Sequence, residues 1–399
     1  MASGTLLAAA YLFDGGPFGS DAAGVELFLL AFMALLVALT LGWVSVATTV
    51  LAVRAPGMTL RRVPLFSWSA LVAGVVWALA LPALAAVLLL AWVDLRHGEQ
   101  FMGGTGGIYD RVAWVFWQPA VYGFAVPALG IVSDIVPTFA RRRAFKHSAG
   151  AFLLGLLAAV GFGAWTQLPV SLEGGSDIPW LFEGPWMVVS VLAIVAVLGL
   201  FGLWANTLRL GSPKFAAPLV VGLSGGLLIL LGVAAGGATI VEGAGLDGTT
   251  WMTAQADLVL LGSLTAGVAG IAFWAPKVYG KLLPEPLVGL GGLLLLLGAL
   301  TYAVPDAISG IIGQARLMAG GAVPDADVDT VETLNLVSSI GAVVVVVGVV
   351  VVVLALAKPR GSAEVADDPW DGNTLEWATT SPPPPAIPAS GGAPRDSRW

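Results

Sequence analysis

Gln118 and Tyr122 stand four residues apart in the run Trp114-Val115-Phe116-Trp117-Gln118-Pro119-Ala120-Val121-Tyr122. On a helix this spacing stacks an amide and a phenol over the same spot. The chemistry open to the pair is hydrogen bonding, proton donation or weak oxygen ligation. Asp257 is an acid inside an apolar stretch, where a carboxylate is costly and usually marks a function or a partner. It lies only a few residues from the end of that stretch, so solvation or simple pairing also accounts for it. Asp134 is close in sequence to Arg141 and Arg142 and is expected to be solvated or paired with them. Donors for metals are scarce: the chain has no cysteine and two histidines, His97 and His147. Disulfides, iron–sulfur clusters and thiolate metal sites are thereby excluded. No Ser-His-Asp or His-Glu-x-x-His arrangement and no phosphate-cradling glycine loop is present, and the charge distribution gives nucleic-acid binding no support.

The elements that must position these residues are membrane helices. Of 399 residues 57% are hydrophobic and 11% charged, against about 25% charged in a soluble globule. The fold class is therefore all-α, a polytopic transmembrane bundle. Nine spans are expected, at 24–53, 65–93, 112–138, 148–168, 185–206, 215–237, 253–275, 286–305 and 334–357. The 52 glycines suit close helix approach in a bilayer. Residues 1–23 hold one short apolar run, Leu6 to Phe13, too short for a core about 30 Å thick. They are expected to be an external N-terminal segment, and without a basic n-region or cleavage site they do not resemble a signal peptide. Residues 24–358 form the bundle. The segment 359–399, rich in Pro, Gly, Ser and acid, is expected to be an extended, disordered tail with no core of its own.

Thirteen of the eighteen Lys and Arg fall after odd-numbered spans, among them Arg54, Arg61, Arg62, Arg141, Arg142, Arg143, Lys146, Lys277 and Lys358. The intervening loops carry Glu173, Asp177, Asp247, Asp325 and Glu332 instead. The positive-inside rule then predicts an external N-terminus and a cytoplasmic C-terminus. Arg141 to Lys146 serves as a topology signal and would also attract anionic lipid. Trp114, Trp117, Trp165 and Trp180 read as core or interfacial aromatics.

Several stretches in one order resemble the haem-copper (cytochrome c) oxidase subunit I family. Gln118-Pro119-Ala120-Val121-Tyr122 is similar to the family's His-Pro-Glu-Val-Tyr. Arg54-Ala55-Pro56-Gly57-Met58-Thr59, Ala272-Phe273-Trp274-Ala275-Pro276-Lys277, Asn335-Leu336-Val337-Ser338-Ser339-Ile340-Gly341 and the tail's Asp368-Pro369-Trp370 and Thr374-Leu375-Glu376-Trp377 resemble further family segments. The resemblance runs from about residue 24 to 385, and the nine spans look like the family's fourth to twelfth, with the first three apparently absent.

The resemblance also implies a site. Family members carry two haems and copper, held by imidazoles. Here Gln118 stands for the first copper histidine, and Gln167 and Leu168 for two more. Gln255 and Asp257 stand for two haem histidines, and Arg316 for one of the arginines that contact haem propionates. Two residues on a helix differ by about 200°, so Gln255 and Asp257 should face opposite ways. Ala120, and Leu200 or a neighbour, stand where the family has proton-path residues. The expectation is a ligand-depleted member with no haem or copper and no catalytic residue. Gln118, Gln167 and Gln255 would be interhelical hydrogen-bond partners, and Tyr122 a packing residue. Its role would be structural, assembly-related or regulatory beside other oxidase or respiratory-complex subunits, in membrane lipid, in a bacterial cytoplasmic membrane. Two rivals stand beside it. One is a working oxidase subunit completed by a partner polypeptide; the other is a proton or small-solute transporter that uses Asp257, Tyr122 and the vacated cavity.

Overall fold

The computed structural model describes residues 5–6, 9–10, 22–54, 57–97, 107–163, 180–239, 244–246, 248–316, 327–358, 366–372 and 374–382, with backbone alone at 22, 107–119, 162–163, 180–186 and 375. Among them are nine long helices and no strand. They are α1 (Ala22–Ala52), α2 (Leu65–His97), α3 (Gly107–Phe139), α4 (His147–Gly163), α5 (Trp180–Leu210), α6 (Ala217–Ala238), α7 (Thr250–Tyr279), α8 (Glu285–Ile312) and α9 (Val328–Ala357). Eight are long and apolar enough to cross a membrane. The exception is α4, whose 17 residues rise only about 26 Å at 1.5 Å each; the remainder of the expected fourth span lies outside the described residues. The last two helices outrun their expected limits. α8 continues past Pro305 to Ile312, because the missing donor costs one hydrogen bond and the ladder resumes beyond it. α9 begins at Val328, with Asp329 in its first turn, where an acid suits the helix dipole.

The chain divides into two compact units. The first takes in residues 1–58, 70–123 and 158–186. In it Trp43 and Trp77 stack at 6.3 Å, and the Trp77 indole donates to the Gly123 carbonyl at 3.2 Å. Glu26 accepts from Arg96 at 2.6 Å and from the Trp92 indole at 3.2 Å, tying α1 to the end of α2.

The second unit takes in residues 59–69, 124–157 and 187–399. Its helices meet through glycine. A Cβ on Gly262 of α7 would stand 2.8 Å from the Gly225 carbonyl oxygen of α6. A Cβ on Gly298 of α8 would stand 2.8 Å from the Val345 backbone nitrogen of α9. Such contacts let dispersion and backbone packing hold helices that water does not drive together. Leu228, Ala254, Leu258, Ala299 and Ala303 join α6, α7 and α8 in one buried cluster.

Asp134 corrects its expected pairing. Its two carboxylate oxygens accept from the backbone N–H groups of Leu65 (2.9 Å) and Phe66 (3.0 Å). It therefore satisfies the orphan donors that begin α2, rather than meeting Arg141 or Arg142. The tail also differs from expectation. Residues 366–372 and 374–382 fold back onto the bundle, and Trp377 is only 3% exposed. The segment has no core of its own because it uses the bundle's: Trp370 packs on Phe139 at 5.3 Å, Trp377 meets Phe273 edge-on at 5.5 Å, and the Trp370 indole donates to the Phe273 carbonyl at 2.9 Å.

Candidate functional site

The N-terminal end of α7 gathers the best-described candidate positions. Thr249 caps the helix, its hydroxyl accepting from the Trp251 N–H at 3.3 Å. The segment after α8 pairs with the segment before α7. The Thr250 N–H donates to the Gln314 carbonyl at 3.0 Å and the Arg316 N–H to the Gly248 carbonyl at 2.8 Å, around an antiparallel bridge between Thr249 and Ala315. This clasp brings Arg316 beside α7. The α8 end of the clasp is set by Gly313, whose φ of 106° is left-handed and suits glycine alone.

Gln255 and Asp257 diverge as their spacing requires. Gln255 turns toward α6, where its Oε1 lies so close over Gly236 that no side chain fits there. Asp257 turns toward α8 and the clasp, close enough to Asp306 and Arg316 for their charges to act on it. Near Asp306, the Ser338 hydroxyl of α9 donates to the Tyr302 carbonyl at 2.9 Å. Gln255 Oε1 and Asp257 Oδ2 are buried and find no hydrogen-bond donor among the described residues. Two buried acceptors without donors cost on the order of 1–3 kcal/mol each.

Other candidates lie elsewhere. Tyr122 belongs to the first unit, 9% exposed, with Gly161 so close that a Cβ there would stand 2.6 Å from the ring's Cγ. The backbone of Gln118 is helical and its side chain is not described; Gln167 and Leu168 lie outside the described residues. Ala120 and Leu200 are buried and apolar, with no proton to exchange. His97 ends α2, exposed, and His147 begins α4 with Nε2 3.1 Å from the Val63 carbonyl oxygen, so this nitrogen serves as a donor. Among the described residues, no three His, Cys, Asp or Glu side chains cluster as a metal site would need.

Sequence reasoning missed the opposite end of α7. There Lys277 Nζ donates to the Thr379 and Thr380 carbonyls at 2.5 and 3.1 Å and sits 5.7 Å from the Trp377 ring centre. Beside it, burial pushes the Glu376 carboxyl up to about 7 from its ordinary 4.5, with Lys277 acting against the shift. The signal available was Trp370 and Trp377 in an otherwise polar tail.

A bundle of apolar helices joined through glycine is an integral membrane protein. The family profile described as "Cytochrome C and Quinol oxidase polypeptide I" matches residues 1–344. The chain belongs to that family. It is 29% identical over 377 residues to cytochrome c oxidase subunit 1 of Bacillus subtilis (90% of this chain, 58% of the relative). It is 32% identical over 378 residues to the probable cytochrome c oxidase subunit 1-beta of Nocardia farcinica (92% and 62%). It is 28% identical over 378 residues to the ubiquinol oxidase subunit 1 of Acetobacter aceti (92% and 56%). The chain thus spans about three fifths of the length of these relatives. Imidazole is the ligand that the resemblance implies for haem at positions 255 and 257. An amide oxygen lying on Gly236 and a carboxylate set between Asp306 and Arg316 do not fit that requirement.

Proposed function

We propose that this chain is a non-redox member of the oxidase subunit I family, serving a structural, assembly or regulatory role in an oxidase complex. The observation that carries the proposal is the histidine census. The chain's two histidines, His97 and His147, stand at helix ends, and His147 is engaged by the Val63 carbonyl. Neither stands at a position that the resemblance equates with a haem or copper ligand. Those positions hold Gln118, Gln167, Leu168, Gln255 and Asp257. The relatives bear subunit names, which supports partner subunits of the same kind. The distribution of Lys and Arg supports an external N-terminus and a cytoplasmic C-terminus, in a bacterial cytoplasmic membrane. A reduced-minus-oxidised spectrum with pyridine haemochrome and copper analysis, on the purified chain and whatever co-purifies, tests the proposal. The expected result is no haem or copper attributable to this chain. Stoichiometric haem on the isolated chain would overturn it and favour a working oxidase completed by a partner polypeptide.

A second reading draws on one observation, the buried Asp257 Oδ2 near Asp306. It takes the chain as a proton or small-solute path. Unchanged flux in liposomes carrying Asp257→Asn would count against it.

A further inference from the structure

The arginine-bearing end of the second unit encloses a cavity of about 620 Å³, lined by Arg61, Arg62, Arg141, Arg142, Arg143 and His147. Its walls come from three separated pieces of chain: Arg61 to Leu65, the end of α3 with its connection to α4, and Asp371, Gly372, Thr374 and Glu376 of the tail. The volume falls within the range of about 300–1,000 Å³ common to small-ligand sites. Acids also line it. Asp134 has both oxygens committed to the backbone of Leu65 and Phe66. Asp371 and Glu376 sit on the tail wall. Of the five guanidiniums, Arg142 alone has a hydrogen-bond acceptor among the described residues, the Leu210 carbonyl at 2.6 Å.

The backbone adds a second observation. Arg141 holds a φ of 52° where α3 ends, with its N–H on the Thr138 carbonyl and that of Arg142 on the Pro137 carbonyl, each at 3.1 Å. Glycine is the cheap residue for such a helix ending, and a long charged side chain in its place invites a functional explanation.

We propose that this cavity binds a phosphate-bearing anion. Planar guanidinium forks match phosphate oxygens two at a time. The cavity sits where α3 ends and α4 begins, the depth of a membrane interface, and basic pockets there suit anionic headgroups. The ligand is supplied either by an anionic phospholipid or by free phosphate, and neither depends on whether the chain carries haem.

The test uses the full chain in detergent micelles, titrated calorimetrically with short-chain phosphatidylglycerol, short-chain phosphatidylcholine and inorganic phosphate. Arg61→Gln with Arg141→Gln removes two cavity charges, and Arg209→Gln with Lys214→Gln removes two charges outside the cavity lining. Loss of two charge-assisted contacts should weaken phosphatidylglycerol binding by about tenfold or more in the cavity variant, against about twofold in the control. Arg62→Gln with Arg143→Gln, also on exposed side chains, repeats the test should the first pair disturb folding. Phosphatidylglycerol binding alone identifies a lipid headgroup as the ligand; binding of free phosphate with the same dependence on the arginines identifies the soluble anion. Either supports the site. Equal affinity for the two lipids with no phosphate binding, or equal loss in cavity and control variants, would overturn it.

Discussion

The two ends of α7 solve the same problem differently. At its C-terminal end, polar and aromatic groups are closed off by the chain's own tail. Lys277 has carbonyl acceptors, Trp370 has the Phe273 carbonyl, and Gly280 ends the helix in a left-handed turn with φ 63°. At its N-terminal end the backbone is equally well ordered, clasped by residues 314–316, yet Gln255 Oε1 and Asp257 Oδ2 are buried without donors. Helix geometry is thus intact at both ends, and the difference lies in where the unmet polar atoms sit: acceptors on α7 itself at the N-terminal end, the Thr374 hydroxyl and Trp377 indole of the tail at the other. Buried acceptors without partners are rare enough to need a cause. In the function proposed above, the cause is that these two positions hold residues unsuited to the haem that the family places there. At the tail-covered end the buried polar atoms without a partner among the described residues, Thr374 Oγ1 and Trp377 Nε1, belong to the covering segment and not to α7.

That contrast can be broken in four ways. The largest effect is expected at the tail. Trp377→Ala removes a nearly fully buried indole and should cost about 3–5 kcal/mol of docking. Limited proteolysis should then cut within residues 366–382, sites protected in the parent protein. Next, Gln255→Met keeps the volume and deletes the orphan acceptor. It should leave stability unchanged or raise it by about 1–3 kcal/mol, read as a higher melting temperature in detergent. A marked loss instead would reveal a donor that meets Gln255 in the cell and would erase the contrast. Trp370→Phe keeps the ring but loses the bond to the Phe273 carbonyl, and should weaken the tail by about 1 kcal/mol, seen as partial protease sensitivity.

The fourth effect is one of pH. The Glu376 carboxyl is raised from 4.5 to about 7 in the docked tail, so docking favours the protonated form. That contribution is fully present below 4.5 and is lost as pH rises through 7. Protease protection of the tail should therefore be greater at pH 5 than at pH 8, and Glu376→Gln should flatten the difference.

The helices were legible because long apolar runs between charged loops leave little choice in a membrane. Their limits were less so: Pro305 looks like a stop, but the break it imposes is local and α8 runs on to Ile312. The divergence of Gln255 and Asp257 follows from helical pitch alone. Asp134 shows what spacing cannot give. Its nearest charges in sequence are Arg141 and Arg142, whereas its partners lie 69 and 68 residues away at the start of α2. The tail failed for a related reason. Its apolar content is concentrated in Trp370 and Trp377, with no helical or strand period to announce it, and the surface it covers belongs to distant helices. The arginines of the cavity were visible as a topology signal, but their convergence required the tail wall.

The docking of the tail carries a consequence for biogenesis. Trp370 bonds to Phe273 across 97 residues, so at roughly 5–20 residues per second the ribosome delivers the cover about 5–20 s after the surface it covers. Through that interval Phe139, Phe273 and Lys277 face the membrane–water boundary without the groups that finally meet them. Completion of this bundle end is therefore a late event that waits for residues 366–382, and a quality-control factor that recognises exposed aromatic surface would sense whether that segment had emerged.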